Sequence, residues 1–418
     1  MKISRRATCL SASAGLLTRN LPARANPSTC PSSVRIKTGL DSLLSENRGR
    51  LTGKKTGLVA NPASVDSHLT HIADLLHEMP DVHLAAIFGP EHGFRGSAEA
   101  GSSEARTTDS RTGVPVFDIY MLSGPRLDAV LSASGIDLLL FDIQDVGARF
   151  YTYIWTLFDI MQSCARLSIP VLVTDRPNPI SGLHPFGPVL DPAFSSFVGR
   201  APIALRHAMT IGELAIYFNN HFIHLHKADL TVLPMQGWTR GLFFDQTDLP
   251  WVAPSPNMPT PETAIVYPGT CLFEGTVLSV GRGTAQPFLT LGGPEVDATR
   301  WIQALRAASL PGVLFRETWF SPSASVDRNM KLHGLNMVLT DRPAFDPVLT
   351  GLTMLTTARP LATAPFWRDN GTPFDRLCGT DTVRRHIDTG TSPANIVASW
   401  KKELNLFLQR REKVLLYA

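Results

Sequence analysis

The chain has 418 residues, of which 44% are hydrophobic, and its lysines and arginines outnumber its acids by three. A chain of this length and apolar content can bury a sizeable core and is long enough for two domains. Five cations and no acid lie in residues 1–25, so the remainder carries a net charge of −2 and has no basic patch that would favour nucleic acid.

Residues 1–25 have the features of an export signal. A basic start that includes Arg5 and Arg6 precedes a mildly apolar stretch, and residues 23–25 form an A-x-A cleavage pattern. The paired arginines also fit the twin-arginine type of signal, which exports folded proteins. No later segment is apolar over the length of a membrane-spanning helix. We therefore expect a periplasmic or secreted protein without stable membrane insertion.

Four apolar, β-rich runs in the first half of the chain each end in polar or charged residues. Helices are predicted between them over about residues 68–79, 125–132 and 151–167, as the crossovers of a parallel sheet require. Because ligands bind beyond the carboxyl ends of such strands, we expect the polar residues to converge on one face. The runs are residues 55–60 before Asn61, 82–88 before Glu91 and His92, 136–141 before Asp142 and Asp145, and 171–174 before Asp175.

The character of the sequence changes after about residue 235. A last strand of the first sheet is predicted at residues 228–233, and residues 251–263 then contain four prolines, which exclude a regular helix or a central strand. This segment is either a plain linker or a rigid loop, and the interleaved Trp251, Asn257 and Met258 favour an ordered loop that packs over something. A second region with α+β character follows. The predicted fold class is α/β.

Several enzyme classes lack their sequence signatures here. No G-x-G-x-x-G follows the first strand and residues 53–57 lack the phosphate-loop pattern, which disfavours a nicotinamide cofactor, and no G-x-S-x-G marks a serine hydrolase. The cysteines show no zinc-ligand spacing, so no metal or other cofactor is expected, although Asp142, Asp145 and His92 could bind a metal adventitiously. Cys164 is predicted to be a buried thiol, and one or two disulfides elsewhere are possible.

Ten strings along the chain carry a family resemblance. In the first half they are residues 39–41 (GLD), 57–59 (GLV), 61–62 (NP), 88–93 (FGPEHG), 141–153 (FDIQDVGARFYTY) and 175–179 (DRPNP). In the second half they are residues 255–260 (SPNMPT), 267–269 (YPG), 273–276 (FEGT) and 281–284 (GRGT). Together they resemble the NamZ-type exo-β-N-acetylmuramidases, glycoside hydrolases that were long catalogued as a domain of unknown function. The resemblance covers residues 37 to about 400.

The resemblance implies an enzyme that releases N-acetylmuramic acid from non-reducing ends of peptidoglycan fragments. It also implies a Rossmann-like catalytic domain over residues 37–235 and a smaller α+β domain over residues 236–418 that closes the cleft. The family's proposed catalytic glutamate falls on Glu91. The chain departs from the family pattern at Ala208, Val277 and Leu289, and the last two could alter a substrate contact.

Glycoside cleavage needs a carboxylic acid that protonates the leaving oxygen and usually a second carboxylate. Glu91 is the predicted acid, and its neighbour His92 either tunes that acid, binds substrate or holds the turn backbone. The second carboxylate is predicted to be Asp145 or Asp175, which follow neighbouring strands, with Asp142 and Glu274 in competition. The 2-acetamido group of the substrate is an alternative nucleophile, so no protein nucleophile is obligatory.

Recognition of the lactyl carboxylate of N-acetylmuramic acid calls for a cation with bidentate geometry, which favours arginine. The candidates, in order of preference, are Arg176, Arg282, Arg149 and Arg206, although each could instead hold a structural carboxylate. Tyr151 and Tyr153 could stack on a sugar ring or hydrogen-bond its hydroxyls, or pack in the core. Asn178, Asn257 and Glu274 complete the predicted substrate-binding set.

A non-catalytic periplasmic protein that binds muropeptides or amino sugars on the same scaffold is the alternative to the enzyme. Both hypotheses give the protein a peptidoglycan-derived sugar as its partner. Turnover, and its loss when Glu91 is replaced while binding is retained, would discriminate the enzyme from the binder.

Overall fold

The computed structural model of the protein describes residues 36–99, 101–224 and 226–418. The predicted export signal, residues 1–25, lies outside the described residues. The strands within them are β1 (Lys55–Ala60), β2 (His83–Gly89), β3 (Thr107–Thr108), β4 (Pro115–Asp118), β5 (Leu138–Asp142), β6 (Val171–Thr174), β7 (Phe186–Val189), β8 (Ala204–Arg206), β9 (Leu230–Leu233), β10 (Thr290–Gly292), β11 (Val313–Phe320) and β12 (Leu332–Leu339).

The helices belong to the same described ranges, and none of them is both long and apolar enough to cross a membrane. They are α1 (Gly39–Ser45), α2 (Ile72–Glu78), α3 (Gly124–Ser134), α4 (Tyr153–Leu167), α5 (Ile211–His221), α6 (Pro261–Thr270), α7 (Ala298–Ala308), α8 (Pro347–Ala358), α9 (Thr372–Cys378), α10 (Thr382–Asp388), α11 (Pro393–Ser399) and α12 (Lys401–Arg411).

A seven-stranded sheet with the order β3-β4-β2-β1-β5-β6-β9 forms the first part of the fold. All neighbours in it are parallel except β3, which is antiparallel to β4. Helices α2, α4 and α5 lie between the strands as crossovers, because parallel neighbours cannot be joined by a tight turn. The α/β class is confirmed, and the predicted bounds of β1 and β6 match the structure. The sequence reasoning missed β3 and β4.

The second part contains an antiparallel sheet with the order β10-β12-β11. One hydrophobic cluster includes Phe141 of β5 and Trp155 of α4 together with Phe273, Trp301 and Leu335 of the second part, so the two sheets share a core. Cys164, Cys271 and Cys378 are buried free thiols, which confirms the prediction for Cys164. The domain boundary at residue 235 stays a prediction.

Helix α6 begins where the proline-rich segment ends. Pro261 occupies its first turn, where the missing N–H is not needed, and Thr260 Oγ1 accepts a hydrogen bond from Thr263 N at 3.1 Å. Later in α6, Gly269 packs directly on α8, because a Cβ there would stand 1.9 Å from Pro347 O. The glycine of the predicted Tyr-Pro-Gly string therefore permits the close approach of two helices.

The carboxyl ends of β5 and β6 converge as predicted, but their polar side chains bind one another in the interior. Arg176 forms two hydrogen bonds to Asp142, at 2.8 and 2.6 Å, and Thr174 Oγ1 donates to the same carboxylate. Asp175 accepts from the backbone N–H of Gly212 at 2.8 Å and from Thr210 Oγ1 at 2.7 Å. Buried polar groups need such partners, so this network fixes the strand ends.

Arg149 is a buried cation that joins distant parts of the chain. Its side chain is fully buried, and its terminal nitrogens donate to four backbone carbonyls at 2.6 to 3.0 Å. Two of these carbonyls, from Leu377 and Cys378, close helix α9, where a cation also offsets the negative end of the helix dipole. Burial lowers the pKa of Arg149 to about 10. Charge and hydrogen bonds thus hold α9 against the segment that follows β5.

We predict that Arg149→Met lowers the free energy of unfolding by about 3 to 5 kcal/mol, because four buried carbonyls each lose a charged donor. Urea unfolding followed by circular dichroism measures the change. The matched control Arg300→Met, at an exposed position on α7, should stay within about 0.5 kcal/mol of the unmodified protein. Equal stability of the two variants would contradict this role for Arg149.

Candidate active site

A cavity of about 200 Å³ lies beyond the carboxyl end of β2, between the first sheet and the second part of the chain. Seven of the predicted site residues line it: Glu91, His92, Tyr151, Tyr153, Asn257, Glu274 and Arg282. Further lining residues that sequence reasoning did not select include Tyr120, Thr152, Phe197, Ser255, Tyr267, Cys271 and Phe288.

Glu91 is held at both carboxylate oxygens. Its Oε1 accepts from the backbone N–H of Gly101 at 3.0 Å, and its Oε2 accepts from Thr152 Oγ1 at 2.6 Å. Burial and the nearby charge of Glu91 raise the pKa of Tyr120 to about 12, so this phenol is a neutral neighbour of the carboxylate. The carboxyl group is therefore held by the loop that follows β2 and by the segment that follows β5.

His92 lies on the cavity wall and also shapes the loop that carries Glu91. Its backbone has a φ of 70°, in the left-handed region, and its Nδ1 lies 2.9 Å from the carbonyl oxygen of Ala98. Because a carbonyl only accepts, Nδ1 is the donor in this hydrogen bond. The structure thus gives His92 the loop-holding role that was one of its predicted alternatives, at the edge of the cavity.

An aromatic cluster forms much of the cavity wall. The rings of Tyr151 and Tyr153 meet edge to face at 5.2 Å between centroids, and Tyr267 meets Phe288 at 4.7 Å. Tyr153 Oη donates to the carbonyl of Pro254 at 2.8 Å. Burial raises the pKa of Tyr151 and Tyr267 well above the ordinary value, which keeps both phenols neutral. Such walls offer apolar faces with a few polar groups, as sites for small ligands do.

The proline-rich segment is the ordered loop that was predicted. Trp251 Nε1 donates to Met258 O at 3.3 Å, and Asn257 Oδ1 accepts from Gly283 N at 3.4 Å. Ser255, Asn257 and Met258 all line the cavity. This loop therefore forms part of the wall and ties it to the Gly-Arg-Gly string.

Glu274 and Arg282 form an ion pair on the opposite side of the cavity from β2. Burial acts to lower the pKa of Arg282, but the charge and the hydrogen bond of Glu274, with smaller contributions from Tyr267 and Cys271, together raise it. The guanidinium carbon of Arg282 also stands 4.9 Å from the ring centroid of Phe288, a distance typical of cation–π contacts. Arg282 is thus a permanent cation held in place on the cavity wall.

Two predicted carboxylates do not reach the cavity. Asp145 accepts from Gly147 N at 2.8 Å and lies 3.3 Å from His207 Nε2, in the interior. Asp175 is fully buried in the strand-end network, and burial raises its pKa to about 7. The structure therefore assigns both aspartates to the scaffold, in place of the predicted role as second catalytic carboxylate.

Four predicted substrate-binding residues also point into the protein interior and bind protein groups there. Arg176 is paired with Asp142, and Arg149 binds the carbonyls described above. Arg206 donates to the carbonyl of Ile180 at 2.6 Å, and burial lowers its pKa to about 10. Asn178 donates to Met209 O at 2.9 Å. Of the four predicted arginines, Arg282 alone lines the cavity, which corrects the preference for Arg176.

For two of the cavity residues that were not predicted, Thr152 and Tyr120, the sequence contains a weak signal. Thr152 lies between the two predicted tyrosines, in the longest of the family-like strings, and its hydroxyl is the partner of Glu91. Tyr120 follows β4, a four-residue strand with a short apolar run that was not assigned. Within the part of the chain that the structure describes, no group of three or more histidine, cysteine or acidic side chains is arranged to hold a metal ion.

Similarity to known proteins identifies the family of this chain. Residues 56–262 match the N-terminal part of the exo-β-N-acetylmuramidase NamZ family, and residues 265–417 match its C-terminal part. The chain belongs to this family. It is 45% identical to the peptidoglycan β-N-acetylmuramidase NamZ of Bacillus subtilis strain 168 over 383 residues, which cover 92% of each protein.

Solved structures agree with the NamZ assignment. Two DUF1343 family proteins of Bacteroides fragilis NCTC 9343 are each 32% identical to this chain. One superposes with a TM-score of 0.84 and covers 92% of this chain and 100% of its own. The other has a TM-score of 0.74 and covers 91% and 99%. Both DUF1343 family proteins thus share the mixed α/β architecture of this chain.

We predict that Glu274→Gln lowers the free energy of unfolding by about 1 to 3 kcal/mol, because Arg282 loses its counter-charge in a largely buried position. The double variant Glu274→Gln/Arg282→Met should lose less than Glu274→Gln alone, since no unpaired cation remains. Urea midpoints measure both, with the exposed Glu46→Gln as control. A double variant that is less stable than the single one would contradict the pairing.

Proposed function

We propose that this protein is an exo-acting glycoside hydrolase that releases N-acetylmuramic acid from the non-reducing ends of peptidoglycan fragments. The observation that carries the proposal is Glu91, held on an aromatic-walled cavity in a chain of the NamZ family. The Bacillus subtilis relative is named a peptidoglycan β-N-acetylmuramidase, and it matches this chain over nearly its whole length. The terminal sugar occupies the cavity, with its glycosidic oxygen at Glu91.

Glu91 is the general acid, and its hydrogen bonds indicate which oxygen carries the proton. Oε1 faces the backbone N–H of Gly101, which can only donate. Oε2 faces the hydroxyl of Thr152, which can donate to a carboxylate or accept from a carboxylic acid. Oε2 is therefore the site of the catalytic proton, and Thr152 adapts to both protonation states.

Arg282 provides the selectivity for N-acetylmuramic acid. Its Nε donates to Glu274, and its two terminal nitrogens have no protein acceptor among the described residues. A guanidinium with free terminal N–H groups suits the lactyl carboxylate, which N-acetylglucosamine lacks. Glu274 is the second carboxylate on the cavity, and its ion pair keeps Arg282 oriented. The 2-acetamido group of the substrate supplies the nucleophile in this proposal.

We predict that Glu91→Gln lowers kcat/KM for the disaccharide N-acetylmuramyl-β-1,4-N-acetylglucosamine by about 10² to 10⁴-fold. The loss should be smaller for the 4-nitrophenyl glycoside of N-acetylmuramic acid, because nitrophenolate leaves without protonation. Release of free N-acetylmuramic acid and of nitrophenol measures the two rates. The unmodified protein should leave the N-acetylglucosamine glycoside almost untouched.

The matched control is Glu78→Gln, at an exposed position at the end of α2, which should keep full activity. Equal losses on both substrates would assign Glu91 a role other than the acid. A folded, unmodified protein that binds the disaccharide without turnover would instead support the muropeptide-binding alternative.

We further propose that residues 1–25 export the protein and that it acts on wall fragments outside the cytoplasm, in cell-wall recycling. The support is the paired Arg5 and Arg6 before an apolar stretch and an A-x-A cleavage pattern. Arg5→Lys/Arg6→Lys should leave the folded protein in the cytoplasmic fraction, whereas Lys2→Arg should not change its location. Unchanged export of the double variant would contradict the twin-arginine route.

A further inference from the structure

A groove of about 520 Å³ opens from the catalytic cavity, beyond the place proposed for the terminal sugar. It shares six lining residues with the cavity, which are Glu91, Val198, Asn257, Glu274, Arg282 and Leu377. Its volume is more than twice that of the cavity, so it has room for more than one further sugar if the cavity holds one. The position beyond Glu91 is where the leaving part of the substrate must lie.

One wall of this groove is cationic. Arg368 and Arg376, both exposed, line it together with Pro373 and Leu377. Arg368 donates to the backbone carbonyl of Glu274 at 3.2 Å, and neither arginine is paired with a carboxylate within the described residues. Three acidic residues also line the groove: Glu91, which is assigned to catalysis, Glu274, which is paired with Arg282, and Glu99, which lies on the loop that carries Gly101. The groove therefore presents two free cations on the wall formed by residues 368–377.

The other side of the groove is tied to the catalytic cavity. Ala324 and Ser325 line it, and the preceding Ser323 binds Gly283 O through its backbone N–H at 3.2 Å and its Oγ at 2.8 Å. Gly283 follows Arg282, so this side of the groove is fixed to the string that binds the terminal sugar. A ligand that extends from the cavity into the groove thus meets a wall whose position relative to the cavity is fixed.

The chemistry of the leaving part then identifies what the two arginines recognise. Peptidoglycan strands alternate N-acetylmuramic acid with neutral N-acetylglucosamine, so the first sugar beyond the scissile bond is neutral and the second is a muramic acid. We propose that Arg368 and Arg376 bind a carboxylate of this second muramic acid, either its lactyl group or the end of its stem peptide. The inference rests on the proposed function and adds a preference for longer, anionic fragments.

The test compares kcat/KM for release of the first N-acetylmuramic acid from four substrates. They are the disaccharide, the alternating tetrasaccharide, a tetrasaccharide of equal length in which N-acetylglucosamine replaces the second muramic acid, and the alternating tetrasaccharide with a stem peptide on that residue. The unmodified protein should prefer a tetrasaccharide with a second muramic acid over both the disaccharide and the tetrasaccharide with N-acetylglucosamine in that place, by about 3 to 10-fold at low salt. Preference for the peptide-bearing or the peptide-free form shows which carboxylate is bound.

Arg368→Gln/Arg376→Gln should remove this preference and leave the disaccharide rate within about twofold, since the disaccharide lacks the second muramic acid and exposed charges contribute little at a distance. The control Arg300→Gln/Arg316→Gln removes the same charge from exposed positions on α7 and β11 and should keep the preference. Disaccharide turnover without any tetrasaccharide preference, or a preference that survives in the groove variant, would overturn the inference alone. Absence of turnover on all four substrates would overturn the proposed function and the inference with it.

Discussion

The placement of one buried cation constrains the rest of the site. Arg149 stands where water cannot reach it, and it is stable there because four backbone carbonyls converge on its guanidinium. The residues that follow it, up to Tyr153, form one wall of the cavity, and Leu377, whose carbonyl it binds, lies on another. Thr152, whose hydroxyl donates to Glu91, belongs to this fixed segment.

Polar side chains near the strand ends fall into two groups, one that stabilises the interior and one that faces the cavity. Asp142, Arg176 and Asp175, beyond β5 and β6, are bound to other protein groups in the interior and do not line the cavity. The side chains on the cavity can still form hydrogen bonds. The terminal nitrogens of Arg282 are free to donate to a ligand, and the Thr152 hydroxyl that binds Glu91 can act as donor or acceptor. Preorganised catalysis requires a rigid scaffold behind the site and, on the cavity wall, polar groups that are still free to bind the substrate.

The sequence was sufficient to predict the parallel sheet, the placement of Glu91 beyond β2 and the ordered proline-rich loop, because apolar runs and prolines act locally. It could not separate Arg282 from Arg149, Arg176 and Arg206, because all four have the same chemistry and Arg149 and Arg176 also lie in family-like strings. Their difference arises from partners far along the chain, such as Leu377 for Arg149, and only the tertiary fold brings these together. Strand β4 was too short for its periodicity to be recognised, and Tyr120 was missed with it.

The most direct test of this account is a crystal structure of the Glu91→Gln variant with the N-acetylmuramyl-N-acetylglucosamine disaccharide bound. We expect the muramic acid ring in the 200 Å³ cavity, its lactyl carboxylate on the terminal nitrogens of Arg282, and the glycosidic oxygen within hydrogen-bond distance of the glutamine side chain that replaces Glu91. The second sugar should enter the adjoining groove. A disaccharide bound in the reverse direction, or bound away from this cavity, would contradict it.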